Sequence, residues 1–366
     1  MQHSTQTPVW TWLLPLAGIA LFAAAVFVGF GDGFAASPFG LTIAVALVPF
    51  LLGAVFAAVY HAEEAAHQTG EPIGTLILTV AVTVIELALI VSLMLTGKAG
   101  PTLVRDTVFA VIMIICTGLV GACITVGGVR YREQSFDVTS AKIYLAVLLV
   151  LASLTLLLPN YTSSVPGPIY SSSQLAFISA VTIALYLVFL YTQTTLHKNY
   201  FTGDHPDLFE PVADGRRRLV KAIAFLALAL IAVILLAKQF AVVITYGVEG
   251  IGAPLGVTGI IIAFIVLLPE SISAVNAAKR DDLQKSINLA LGSSLATIGL
   301  TIPAVAVANL VMQQPLHLGL EARDAALLIT TLGASILTFG TGKTNVLFGF
   351  LHLVLFGTFM FLAFVP

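Results

Sequence analysis

TLILTVAVTVIELALIVSLM, residues 75–94, is apolar but for three threonines, one serine and a single carboxylate, Glu86. Twenty such residues are enough for a helix to cross a bilayer. A carboxylate near the middle of the crossing costs about 2.5–3.5 kcal/mol on insertion scales, so it is expected to face a partner, a cavity or a cation path. Thr75, Thr79, Thr83 and Glu86 follow one another at i+4, i+4 and i+3 and share one helix face. That polar stripe, with Thr79 and Thr83 lining it and Glu86 at its end, is the first candidate site.

The stretch has a counterpart in GVTGIIIAFIVLLPESISAV, residues 256–275, again an apolar span with one carboxylate, Glu270. Each is preceded by G-x-P-x-G, formed by Gly70, Pro72 and Gly74 before the first and by Gly252, Pro254 and Gly256 before the second. Glu86 lies twelve residues after the last glycine of its motif and Glu270 fourteen. The two copies have therefore drifted by about half a helical turn. Matching segments in two halves of a membrane chain point to a duplicated transporter fold with its site at the repeat interface.

Composition agrees with that class. Hydrophobic residues make up 58% of the chain and charged residues 9%, where a soluble domain carries about 25% charged residues. The mean hydropathy is +1.03. A net charge of −2 gives no case for a nucleic-acid partner. Cys116 and Cys123, spaced i, i+7 inside one span, share a helix face but lie too far apart to bridge and read as small apolar residues.

Hydropathy and breaker residues predict an all-α integral membrane protein with about eleven transmembrane helices. The spans are 9–29, 40–60, 73–96, 106–128, 141–158, 173–193, 219–239, 254–276, 284–311, 324–341 and 345–364. The first lacks a preceding Lys or Arg and is read as a retained helix. With the sides numbered alternately, the side of the N-terminus receives twelve of the lysines and arginines and the other side four, Lys98, Arg105, Lys238 and Arg323. The positive-inside rule then puts the N-terminus in the cytoplasm and the C-terminus outside, in a bacterial inner membrane. The predicted organisation is an N-terminal helix (1–39), a five-helix repeat (40–196), a polar cytoplasmic linker (197–218) and a second five-helix repeat (219–366). Five helices per repeat make the two copies inverted. The linker reads as a solvated connection, its acidic and histidine content leaving a regulatory use open.

Each carboxylate helix is followed by another with its own polar positions. In INLALGSSLATIGLTIP, Ser294, Thr297 and Thr301 share a face, while Gly292, Ser293 and Gly299 allow a neighbouring backbone to approach closely. Pro303 deprives the carbonyl of Gly299 of its helical amide, and Pro269 does the same to Ile265, one turn before Glu270. Carboxylates, hydroxyls and freed carbonyls are hard oxygen ligands suited to Ca²⁺ or Na⁺. Glu86 and Glu270 are accordingly the candidate metal ligands, and nothing in the sequence calls for a cofactor. Asp106 beside Arg105 reads either as a surface ion pair or as part of the site. Glu63 and Glu64, in HAEEAAHQTGEP, read either as a solvated helix end or as an acidic mouth that concentrates cations.

These segments resemble a known family. GEPIGTLILTVAVTVIELALIVSLM with PTLVRDTVFAVIMIICTGLVG is similar to the first α-repeat of bacterial Ca²⁺/H⁺ antiporters of the ChaA type, related to the CAX exchangers. LLPESISAV with INLALGSSLATIGLTIP is similar to the second, and TGKTNVLFGFLHL to the tail segment of the same proteins. They belong to the cation/calcium exchanger superfamily. The resemblance implies that Glu86 and Glu270 bind the cation and exchange protons. It also implies that Gly292, Ser293, Ser294 and Thr297 line the pathway, and it carries Glu63 and Glu64 over as an acidic approach. The chain departs from the vacuolar-type pattern in two places: VTVI precedes Glu86, and the helix after it has no G-S pair.

A mechanism follows from competition for the two carboxylates. In a poorly hydrated cavity they cannot both stay ionised unless a cation or protons neutralise them. If only neutralised states cross between inward-facing and outward-facing forms, the chain is an antiporter that exchanges cytoplasmic Ca²⁺ for H⁺. A third proton would need another group, and His352 is the candidate; the alternative is a histidine hydrogen-bonded to a backbone carbonyl. Na⁺(K⁺)/H⁺ exchange on the same scaffold is the runner-up. A passive cation channel is disfavoured by one glutamate per inverted half, and an intramembrane enzyme by the lack of any catalytic motif. The expected partners are small inorganic cations, protons and the lipid bilayer.

Overall fold

The computed structural model describes residues 7–70, 73–97, 100–201, 215–312 and 316–365. Within them lie eleven long helices: α1 (Trp10–Phe27), α2 (Pro38–Thr69), α3 (Ile73–Leu95), α4 (Leu103–Tyr131), α5 (Val138–Tyr161), α6 (Ser172–Leu196), α7 (Gly215–Gly250), α8 (Gly256–Ala278), α9 (Leu283–Asn309), α10 (Ala322–Thr338) and α11 (Val346–Phe364). Ten of them are long and apolar enough to cross a membrane; α10, at 17 residues, is the shortest. The chain is therefore an all-α multi-pass membrane protein, as the hydropathy predicts. Glu71, Pro72, Lys98 and most of the expected linker (202–214) lie outside the described residues.

Two helices overrun their predicted ends. The hydropathy of α2 fades after residue 60, yet the helix continues through HAEEAAHQT to Thr69. Those residues are polar but good helix formers, and the stop comes only at Gly70, whose φ of 66° no β-carbon tolerates well. α7, expected to end near 239, runs on to Gly250, and Gly252 takes the same conformation at φ 65°. The first glycine of each G-x-P-x-G thus makes the same left-handed turn between a long helix and a glutamate helix.

Four of the helices contain a π-helical turn, which hydropathy does not reveal: Ile114–Leu119 in α4, Ser153–Leu157 in α5, Thr192–Leu196 in α6 and Thr297–Thr301 in α9. The Thr297–Thr301 turn falls where Pro303 removes the amide that would serve Gly299, so the ladder changes register and the helix continues.

By internal contacts the chain forms two compact units. The first holds α1, α2, α3 and α7. Its core is built from small side chains, with Gly53, Ala54, Ala57, Ala58 and Ala62 of α2 and Ala229, Ala232 and Ala237 of α7 all buried. Such residues let backbones approach where no hydrophobic drive separates helix from lipid.

The second unit holds α4–α6 and α8–α11. Its centre is α4, buried over nearly its whole length. Two three-residue strands, β1 (Glu133–Ser135) and β2 (Lys343–Asn345), pair antiparallel and tie the end of α4 to the start of α11. Gln134 of β1 is buried and donates to the Ala278 carbonyl (3.1 Å) and to Asp281 Oδ1 (2.9 Å), anchoring the end of α8.

Candidate functional site

Glu86 sits on α3 in the first unit, only 1% exposed among the buried side chains of Ile85, Leu89 and Ile90. Thr79 and Thr83 lie half-buried on the same face, and the Thr83 hydroxyl donates to the Thr79 carbonyl at 2.8 Å. That bond keeps the stripe polar while satisfying the helix's own backbone.

Glu270 sits half-buried on α8 in the second unit, directly after the buried Pro269 and one turn beyond the buried Ile265. α8 packs against α4, its π turn and α9. The Ser286 hydroxyl fixes α9 to α8 by donating to the Ala274 carbonyl at 2.7 Å. On α9, Gly292 and Ser293 are half-buried, while Ser294, Thr297 and Gly299 are buried. A β-carbon on Gly299 would lie 2.8 Å from the Tyr186 side chain, so the close approach that glycine permits is made by an aromatic side chain of α6. The thiols of Cys116 and Cys123 meet Ser294 and Ser286, which puts both cysteines on the face of α4 turned to α9.

The helices that follow the two glutamate helices, α4 and α9, carry their π turns at comparable depth, and α9 packs against the turn of α4. π turns free carbonyls from the α ladder and recur at functional sites. Hydropathy missed them, although every one contains a threonine: Thr117, Thr155, Thr192 and Thr297. Thr117, Thr155 and Thr194 each donate a side-chain hydrogen bond to the carbonyl four residues back, which competes with the α ladder.

The remaining candidates lie elsewhere. Asp106, near the start of α4, accepts from Arg105 Nε and from Thr102 Oγ1, both at 2.8 Å. Arg105 is 7% exposed and also donates to the Gly319 carbonyl at 3.2 Å. Asp106 is thus part of an ion pair that knits three segments at one end of the unit, beside a cavity of about 570 Å³ lined by Asn160, His317 and Glu321 among others. Glu63 is exposed and Glu64 half-buried, both on the last turns of α2. Gln68 Nε2 donates to Glu64 at 3.3 Å. His352 of α11 is fully buried, with Nδ1 2.7 Å from the Cys116 carbonyl and Nε2 3.0 Å from Thr338 Oγ1. Among the described residues no three His, Cys, Asp or Glu side chains cluster as a resident metal site.

Comparison with known proteins agrees with this architecture. The sodium/calcium exchanger protein family matches residues 37–195 and 221–365. The chain is 42% identical over its full length, and over 98% of the relative, to the putative ionic transporter y4hA of Sinorhizobium fredii. It is 35% identical to the sodium-potassium/proton antiporter ChaA of Escherichia coli, over 86% of each chain. Among solved structures, YfkE superposes with a TM-score of 0.72 at 17% identity, covering 97% of this chain and 100% of that one. The H⁺/Ca²⁺ exchanger CAX superposes with a TM-score of 0.68 at 13% identity, covering 96% and 89%. The inverted-repeat exchanger fold is thereby established, and the relatives are transporters rather than enzymes. The chain is a member of the sodium/calcium exchanger protein family, within the cation/calcium exchanger superfamily.

Proposed function

We propose that this antiporter exchanges cytoplasmic Ca²⁺ for H⁺, with Glu86 and Glu270 as the groups that cation and protons compete for. The observation that carries the reading is the matched setting of the two carboxylates. Each stands alone in an apolar span that follows a left-handed glycine turn, at φ 66° and 65°, and each is followed by a helix with a π turn. A buried carboxylate such as Glu86 is unfavourable when ionised and uncompensated. A divalent cation or two protons relieve that cost equally in charge, so either neutral form crosses and the bare form does not. Thr79, Thr83, Gly292, Ser293, Ser294 and Thr297, with the carbonyls of Ile265 and Gly299, supply the oxygen and close-approach positions along the path. No cofactor is required.

The topology proposed from the loop charges keeps the N-terminus cytoplasmic and the C-terminus outside an inner membrane, with the repeats bounded at 40–196 and 219–366. The exposed Glu63 and half-buried Glu64, at the end of α2, then form an acidic cytoplasmic mouth. A Na⁺(K⁺)/H⁺ exchange is the second reading, favoured by the likeness to a sodium-potassium/proton antiporter and by the absence of a G-S pair after Glu86.

Everted vesicles energised to an acidic lumen and reported by a pH dye test both. Dissipation of the gradient by micromolar Ca²⁺, lost in Glu86→Gln and Glu270→Gln, supports the Ca²⁺/H⁺ exchanger. Dissipation by millimolar Na⁺ or K⁺ alone selects the second reading. No dissipation by any of the three ions rejects both.

A further inference from the structure

Both ring nitrogens of His352 are engaged. The Cys116 carbonyl can only accept, so Nδ1 carries the proton and donates across 2.7 Å; Nε2 is then bare and accepts from the Thr338 hydroxyl at 3.0 Å. Cys116 lies inside the α4 π turn, Ile114–Leu119, where the backbone has left the α register. The imidazole therefore takes up a carbonyl of a distorted turn and links it to α10.

The approach of α11 to that turn is built in. A β-carbon on Gly121 would lie 3.0 Å from His352 Cβ and from the Gly349 carbonyl, and one on Gly349 would lie 2.7 Å from the Thr125 amide. Only glycine at these positions lets the histidine reach. The same turn packs against α8, which carries Glu270, and against α9, which carries Gly292, Ser293 and Ser294. The groups hydrogen-bonded to the ring are neutral, so a second ring proton would bury an imidazolium against a carbonyl, a hydroxyl and glycine backbone.

We propose that His352 is a positioning residue: its neutral imidazole bridges the π turn of α4 to Thr338 of α10 and holds that turn in place against the Glu270 helix, and it does not carry the transported proton. Its effect on transport rests on the antiporter reading above; its tautomer and its hold on the turn do not.

The test compares purified wild type with His352→Gln, His352→Leu and Thr338→Val. In nitrogen NMR, the signal lost in His352→Gln is expected to be that of a neutral Nδ1–H tautomer, unchanged between about pH 6 and 8. An imidazolium appearing over that range overturns the proposal. Amides of residues 114–121 should exchange with deuterium about tenfold or more faster in His352→Leu than in wild type; equal exchange overturns it. In vesicles, glutamine, which offers both a donor and an acceptor, should keep the maximal rate within about threefold with an unmoved pH profile. Leucine should lower that rate about ten- to a hundredfold with little change in the cation concentration at half-rate. Thr338→Val, which spares the Nδ1 bond, should move in the same direction as leucine and serves if leucine prevents folding. Glutamine as inactive as leucine, or with a displaced pH profile, makes His352 a proton carrier and overturns the proposal. A wild type that exchanges no cation for protons rejects the antiporter reading alone, and the NMR and deuterium exchange still decide the role of His352.

Discussion

Glu86→Gln separates what this side chain does for transport from what it does for folding. Glutamine has nearly the shape of glutamate, so at a position 1% exposed it opens no cavity beside Ile85, Leu89 and Ile90. The cavity cost that accompanies a truncation, about 2–5 kcal/mol for leucine to alanine, does not arise. Removing an ionisable group from an apolar span should leave stability within about 1 kcal/mol of wild type or raise it. The consequence for a bound cation is much larger. A hydrogen bond or ligand contact to a charged group is worth about 1.5–3 kcal/mol, roughly ten- to a hundredfold in affinity. An amide also cannot exchange a proton, so coupling is lost as well as binding. The expected outcome is an unfolding midpoint in detergent within a few degrees of wild type, together with exchange in proteoliposomes reduced by about a hundredfold or more. Transport within about threefold of wild type, in a variant that folds as well, would refute the assignment of Glu86.

Alanine in place of Gly70 or Gly252 must adopt a left-handed φ of 66° or 65°, and each substitution should cost about 1–2 kcal/mol, read as a lowered unfolding midpoint. Arg105→Ala leaves Asp106 without its 2.8 Å partner and should destabilise by about 3–5 kcal/mol, whereas adding Asp106→Ala should recover part of that loss in a double-mutant cycle. Burial pushes the Tyr170 hydroxyl up to about 12 from its ordinary value of 10.0, and it donates to the Leu154 carbonyl in the loop before α6. Because the folded value is the higher one, its contribution is complete below pH 10 and is lost as pH rises toward 12. Stability of Tyr170→Phe, followed by thermal unfolding, should therefore fall less steeply than wild type between those pH values.

The number of helices and the two carboxylates were legible in the sequence for one reason. A bilayer demands long apolar runs, and a solitary charge within one stands out. Helix ends were less legible, because hydropathy reports the membrane and not the helix. HAEEAAHQT is too polar for lipid yet propagates α2 without strain, so the helix outlasts its apolar stretch. The π turns stayed hidden because their cause is local competition for carbonyls by threonine hydroxyls, to which a hydropathy profile is blind. The three-residue strands around Gln134 and Thr344 are too short for alternation to show. For His352 the choice between proton carrier and carbonyl partner was open in the sequence, since the Cys116 carbonyl lies 236 positions away.

The π turns also bear on how these helices tolerate insertions and deletions. Such a turn accommodates one residue more than the regular helix would over the same rise, and one residue corresponds to about 100° of rotation. Deleting a single residue within Ile114–Leu119 would let α4 heal into an uninterrupted helix while turning Gly121 and Gly128 away from α11. An alignment gap in this region is therefore an angular change rather than a shortening. A helical wheel drawn straight through residues 103–131 puts the wrong side chains opposite α11 beyond the turn, and related chains should be compared in phase on each side of it.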